Sequence, residues 1–221
     1  MKKIWILGGG KFGRLALESV RSNLPKVEIT MIDSRQIETE TMGVTHLCED
    51  GIDWLVENLK RDGVVDMIIP AIPIHMVAEW LKKKSSGVHT IAPASFPDHF
   101  LTGLPNLVQN GKSQVYVSHA DFLCPDNCGE PELLCSYTGE ARGEDMFRLL
   151  ENLHDADCKP LVIRSYQLFP GVGGIYPGDM WSLLDNAHRS LDKTLLISTA
   201  CRCHGVVDCL QFVASDEEPG L

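Results

Sequence analysis

"KKIWILGGGKFGRLAL", residues 2–17, decides how the rest of the chain is read. Ile4–Leu7 form an apolar run too short for an ordinary helix, so they read as a buried β-strand. Three glycines follow at once. Phe12, Leu15, Ala16 and Val20 then recur on one helical face until Pro25 stops the segment. Gly8, Gly10 and Gly13 have the spacing G-x-G-x-x-G, placed between a strand and a helix. In that setting the first glycine permits a tight turn. The second lets backbone approach a bound group, and the third allows close packing of helix on strand.

The same alternation continues outward. "KVEITMID" reads as a second strand ending in Asp33, twenty residues after Gly13. "GIDWLVENLKRDG" reads as a helix, "VVDMIIP" as a strand, and "PIHMVAEWLKKK" as a helix with Pro73 at its first position. "VHTIAP" reads as one more strand. Strands separated by helices of this length make a doubly wound α/β sheet, mostly parallel and Rossmann-like. An acidic residue where Asp33 stands can accept from an adenosine ribose, so Gly8, Gly10, Gly13 and Asp33 are the expected binding residues for NAD. Arg35 leaves room for NADP.

Residues 1–100 are expected to form this dinucleotide-binding domain, with a boundary in the Pro/Gly/Asn-rich stretch 96–112. Residues 112–221 read as a cysteine-rich C-terminal α/β portion that could continue the same sheet. "SQVYVS", "PLVIRSY" and "TLLISTA" are its strands and "GEDMFRLLENL" a helix. "FPGVGGIYPGD" is a glycine-rich loop, after which Asp179 is placed to cap another helix.

"IWILGGGKFGRLAL" together with "EITMID" resembles the amino-terminal NAD(P)-binding domains of TrkA potassium-uptake regulators and of saccharopine-dehydrogenase-like proteins. The resemblance covers about the first 95 residues and rests on a motif shared across a very large superfamily. It implies the fold and the cofactor, through Gly8, Gly10, Gly13 and Asp33. It implies no particular reaction.

Composition narrows the partners. The formal net charge of −10 disfavours a nucleic-acid backbone or an anionic membrane surface. The amino terminus has too few apolar residues before its glycines for a signal peptide or a membrane span, so a cytoplasmic protein without membrane insertion is expected.

In that compartment clustered cysteines point to metal or redox chemistry. Of eight cysteines, three lie in "CPDNCGEPELLC" (Cys124, Cys128, Cys135) and three in "CRCHGVVDC" (Cys201, Cys203, Cys209). Cys124, Cys128, Cys135, Cys201 and Cys203 are the candidate metal ligands, for an iron–sulfur cluster or for zinc. Cys48 and Cys158 read as small buried hydrophobes. Both clusters follow expected strands, so they share the cofactor's edge of the sheet if those strands run parallel to the earlier ones.

His75, just beyond the strand end at Pro70, and His204, beside Cys203, are the candidate proton-transfer residues. Arg164 and Arg202 could meet an anionic substrate, although ordinary ion pairing explains them as well. Two functions fit. One is an NAD(P)-dependent oxidoreductase with a cysteine-ligated metal centre near the nicotinamide, acting on a small-molecule substrate or redox partner. The other is a non-catalytic NAD(H)- or redox-sensing regulator of the TrkA type, for which a homodimer or a partner protein would be expected.

Overall fold

The computed structural model of the chain describes residues 1–36, 43–153 and 156–213. Strands β1 (Lys3–Leu7), β2 (Glu28–Asp33), β3 (Val44–Cys48) and β4 (Met67–Pro70) form a parallel sheet in the order β3-β2-β1-β4. The near-continuous apolar runs of β1, β2 and β4 are what burial on both faces requires. Ile4, Ile6, Ile29, Met31, Met67 and Ile69 pack on one face against Ala16, Leu17 and Val20 of α1 (Lys11–Asn23). Trp5, Leu7, Ile32 and Ile68 belong to the opposite core, with α2 (Gly51–Asn58) and α3 (Met76–Ser85). Asp50 caps α2 by accepting from the N–H groups of Ile52 and Asp53.

The second half builds its own sheet instead of extending the first. β5 (Thr90–Pro93), β6 (Val108–Asn110), β7 (Gln114–Ser118), β8 (Cys158–Arg164), β11 (Thr194–Ala200) and β12 (His204–Val213) are its members. The path runs β6-β7-β12-β11-β8, and β5 pairs antiparallel with the far end of β12. "VHTIAP" is therefore a strand, as expected, but of the other sheet. The boundary read at 96–112 falls inside this layer. That stretch contains α4 (Asp98–Leu101) and β6, and it buries Phe96, Phe100 and Leu104 against β7 and β12. On the same face lie Met146, Phe147 and Leu150 of α5 (Met146–Glu151).

Helix α3 lies between the two sheets. Its Met76, Val77, Ala78, Trp80 and Leu81 share one core with Trp5, Leu7 and Ile68 of the first sheet. That core also takes Leu161, Ile163, Leu195 and Ile197 from the second. Met180, Leu183, Leu184 and Ala187 of α6 (Pro177–His188) complete it.

Several local expectations are corrected. α3 begins at Met76 with His75 at its cap position, so Pro73 lies in the preceding turn and not in the helix. Tyr176, not Asp179, occupies the cap position of α6, because Pro177 supplies a preset first-turn φ. The stretch "FPGVGG" is no open loop. It is the turn and second strand of a hairpin formed by β9 (Tyr166–Phe169) and β10 (Val172–Gly174). Cys48 is exposed, whereas Cys158 is buried as expected. Among the described residues no helix is long and apolar enough to cross a membrane.

The hairpin turn positions the first cysteine cluster. Gly171 has φ +76°, and a Cβ there would lie 1.8 Å from the Asp126 carbonyl oxygen. Its N–H donates to the Cys128 carbonyl, to which Gln167 also donates. Gly171→Ala is expected to displace residues 125–128 and to cost about 1–3 kcal/mol from overpacking and backbone strain. Thermal unfolding with thiol-accessibility labelling of Cys124 and Cys128 measures both effects.

Candidate functional site

Two features meet at one edge of the molecule. The first is the turn between β1 and α1. Gly8 has φ +103°, and a Cβ on it would lie 2.4 Å from the Ala71 carbonyl oxygen. A Cβ on Gly13 would lie 1.9 Å from the Gly8 carbonyl oxygen. Those two glycines are there for backbone packing. Gly10 differs, since a Cβ there meets nothing within 4 Å. It caps α1 without a side-chain bond, and the start of the helix borders a cavity of about 480 Å³. Gly9, Gly10, Lys11, Arg14, Asp33 and Arg35 line that cavity.

Asp33 ends β2 and accepts from the Gly9 N–H at 2.7 Å and the Arg35 N–H at 2.8 Å. Burial opposes its ionisation. The Gly9 and Arg35 N–H groups and the Arg35 guanidinium outweigh that and hold the carboxyl below its ordinary value.

The second feature is the cysteine-walled cavity. β7 and β11 both run antiparallel to β12, which lies between them, so they are parallel to each other. Their carboxyl ends fall on one edge of the second sheet, and the two cysteine clusters follow those two ends. The His119 N–H donates to the Cys203 carbonyl, at 2.9 Å, and ties the two segments together. The resulting cavity, about 430 Å³, is lined by Cys124, Cys128, Cys135 and Cys203 with His119 and Arg142. Cys135 sits where a short antiparallel excursion turns, marked by the Leu134–Ala141 bridge and Gly139 at φ +73°. Among the described residues no three His, Cys, Asp or Glu groups converge closely enough to hold a single metal ion.

Cys201 departs from its expected companions. It does not line the cavity; its Sγ accepts from the N–H groups of Cys203 and His204, at 3.4 Å each. Burial, with the Glu130 carboxylate adding to it, pushes its thiol up to about 12. The two cavities are neighbours through the intervening loop, because Lys11 at the start of α1 pairs with Asp126, between Cys124 and Cys128.

The thiols differ in readiness. Burial and the neighbouring Cys128 and Cys135 raise Cys124, and burial raises Cys203 although Arg142 pulls the other way. The N–H groups of Thr138 and Tyr137, with the Thr138 hydroxyl, lower Cys135. The thiolate is the nucleophile, so in reduced, metal-free protein at mildly alkaline pH iodoacetamide is expected to modify Cys135 before Cys124 and Cys203. Cys201 and Cys209, both pushed up to about 12, should react last. Peptide mass spectrometry over a time course gives the order.

His75, a candidate proton-transfer residue, stands at the cap position of α3 and is buried. It is 7% exposed. Its Nδ1 lies 2.6 Å from Asp208 Oδ2, and its Nε2 lies 2.8 Å from Thr199 Oγ1. A carboxylate only accepts, so Nδ1 carries the proton, and a neutral ring leaves Nε2 to accept from the Thr199 hydroxyl. Gln114 Nε2 donates to the same carboxylate. Sequence reasoning missed Asp208, Thr199 and Gln114, since His75 and Asp208 are 133 residues apart.

His204 stands at the start of β12 with Nδ1 3.8 Å from Cys201 Sγ, and its surroundings lower its pKa, chiefly by burial. Arg202 is held by Asp145 and Glu132, the ion-pairing role. Arg164 lies over the rings of Phe147 and Tyr166.

Fold and site together define a mixed α/β protein in which a glycine turn stands beside a cysteine-walled cavity. Residues 77–213 match a family described as "Uncharacterized protein, C-terminal domain", and the chain belongs to that family. The matched span contains both cysteine clusters but not the glycine turn. A protein of Archaeoglobus fulgidus, described as an uncharacterized protein, is 28% identical over 224 residues. That similarity covers 93% of this chain and 98% of the relative. No solved structure matches the chain.

Proposed function

We propose that the chain is an NAD(P)-binding oxidoreductase in which a dinucleotide bound at the glycine turn works beside a cysteine-ligated metal centre. The observation that carries this reading is the contact between the two features: Lys11, next to Gly10, pairs with Asp126 of the first cysteine cluster.

Supporting the dinucleotide are the strand order β3-β2-β1-β4 and the helices on both faces, as in one half of a Rossmann-like doubly wound sheet. The open space at Gly10 and the free helix N-terminus suit a pyrophosphate. Asp33 suits the ribose hydroxyls of NAD, while Arg35 beside it would meet the 2′-phosphate of NADP. When bound, the nicotinamide would supply hydride chemistry. The chain's own groups would hold the phosphates and position the ring at the strand edge.

A non-catalytic sensor of NAD(H) or redox state is favoured by one observation. Both nitrogens of His75 are already bonded, so the histidine read as a proton donor is not free for that role.

Mixing anaerobically purified protein with NADH and ferricyanide separates the readings. The oxidoreductase reading expects catalytic oxidation of one NADH by two ferricyanides, giving NAD⁺, ferrocyanide and a proton. Stoichiometric NADH binding without turnover would sink it in favour of the sensor, and no binding of NADH or NADPH would sink both.

A further inference from the structure

We propose that Cys124, Cys128, Cys135 and Cys203 hold an iron–sulfur cluster in the cavity they wall, that Cys201 stands outside the ligand set, and that Arg142 is a positioning residue for Cys203. This deepens the metal half of the reading above and is independent of the dinucleotide half.

The four cysteines line one cavity, and among the described residues no three metal-ligating groups converge on a single point. A single zinc ion wants four donors about 2.0–2.3 Å from one centre. A cluster of several irons wants four thiolates spread around it. Four cysteines from two segments, with room between them, suit the larger group.

The polar surroundings of the sulfurs point the same way. Glu130 has φ +49°, the left-handed region that a non-glycine residue enters at a cost, and its N–H lies 3.5 Å from Cys128 Sγ. The N–H groups of Tyr137 and Thr138 serve Cys135, and Arg142 Nη2 donates to Cys203 Sγ at 2.6 Å. Donors aimed at sulfur favour thiolates and offset the negative charge that four of them bring together. The backbone strain at Glu130 is accounted for if it keeps one such donor in place.

Cys201 has a different environment. It is absent from the cavity lining, and its sulfur accepts from the N–H groups of Cys203 and His204 in its own turn.

The test is iron and acid-labile sulfide analysis of the full chain purified without oxygen, with its visible spectrum before and after dithionite. About two or four irons per chain, with matching sulfide and a broad absorption that bleaches, are expected. Cys124→Ser, Cys128→Ser, Cys135→Ser and Cys203→Ser should each lose or strongly deplete the chromophore. Cys201→Ser should keep it. Arg142→Leu should keep the cluster but shift its midpoint potential negative, since a hydrogen bond and a positive charge are lost, and Arg142→Lys should restore part of the shift.

Stoichiometric zinc with no visible absorption would overturn the cluster. So would a chromophore that survives Cys203→Ser but not Cys201→Ser. An unchanged potential in Arg142→Leu would overturn the role of Arg142. Far-ultraviolet circular dichroism checks that each serine variant folds, and the wild-type iron content decides the case even if one does not. NADH titration of the same preparation reads the glycine turn separately. A colourless protein that binds NADH therefore overturns the cluster and leaves the dinucleotide reading standing.

Discussion

Gly13→Ala is expected to destabilise the chain by about 3 kcal/mol, at the upper end of the usual cost of overpacking, because neither side of the clash can give way easily. The added Cβ would sit 1.9 Å from the Gly8 carbonyl oxygen and 2.9 Å from the carbonyl carbon, both backbone atoms. Gly8 in turn is pressed against the Ala71 carbonyl, so α1, the end of β1 and the loop after β4 are nested together. Moving any one of them disturbs the others. For a chain of this length a loss of that size lowers Tm by about 6–12 °C. Gly10→Ala is the control: with nothing within 4 Å of its Cβ, it should cost only the roughly 0.5–1 kcal/mol of a poorer helix cap, well below the cost of Gly13→Ala. A melt in which Gly13→Ala behaves like Gly10→Ala would refute this account of the turn.

His75→Leu should cost more, about 3–5 kcal/mol, the usual range for stranding one partner of a buried ion-paired or hydrogen-bonded couple. The Asp208 side chain is 10% exposed and that of His75 is 3% exposed. With the imidazole gone, Gln114 is the donor left to the carboxylate among the described residues, and the Thr199 hydroxyl loses its partner. The double variant His75→Leu/Asp208→Leu removes the stranded charge and should recover a substantial part of the loss. Urea unfolding of the two variants decides it. A double variant no better than the single would mean that the cost comes from packing around α3 and not from the carboxylate.

The sequence exposed the first sheet because its information is local. β1, the glycine turn, α1 and β2 each announce themselves within a few residues, through apolar runs and the positions of Gly8, Gly13 and Pro25. What lay beyond reach was pairing over long distances. Thr90–Pro93 is a recognisable strand, but nothing near it says that its partner is Leu210–Val213. β12 itself went unread because "HGVVDCLQF" was absorbed into the second cysteine cluster. That cost the antiparallel strand on which the second sheet turns.

The site was legible to a similar degree. Both cysteine clusters were expected on the cofactor's edge of one continuing sheet; they follow β7 and β11 at one edge of the separate second sheet, with the unforeseen β12 between those strands. Which cysteines face the cavity was not legible. Cys201 and Cys203 are two residues apart, yet after the tight turn from β11 into β12 Cys203 lines the cavity and Cys201 does not. His75 shows the same limit: its place at a helix start was read, but the partners that bury it come from β11 and β12.

The account's central claim is that a dinucleotide binds at the open glycine position beside the cysteine-walled cavity. Calorimetric titration of NADH into the wild type and into Gly10→Val tests it most directly, because Gly10 contributes space to that cavity and no packing to the fold. The account predicts saturable binding of one NADH per wild-type chain, and at least tenfold weaker binding by a Gly10→Val protein that still unfolds cooperatively, with Tm lowered only by the poorer helix cap. Absence of binding to the wild type, or equal affinity in the two proteins, would contradict it.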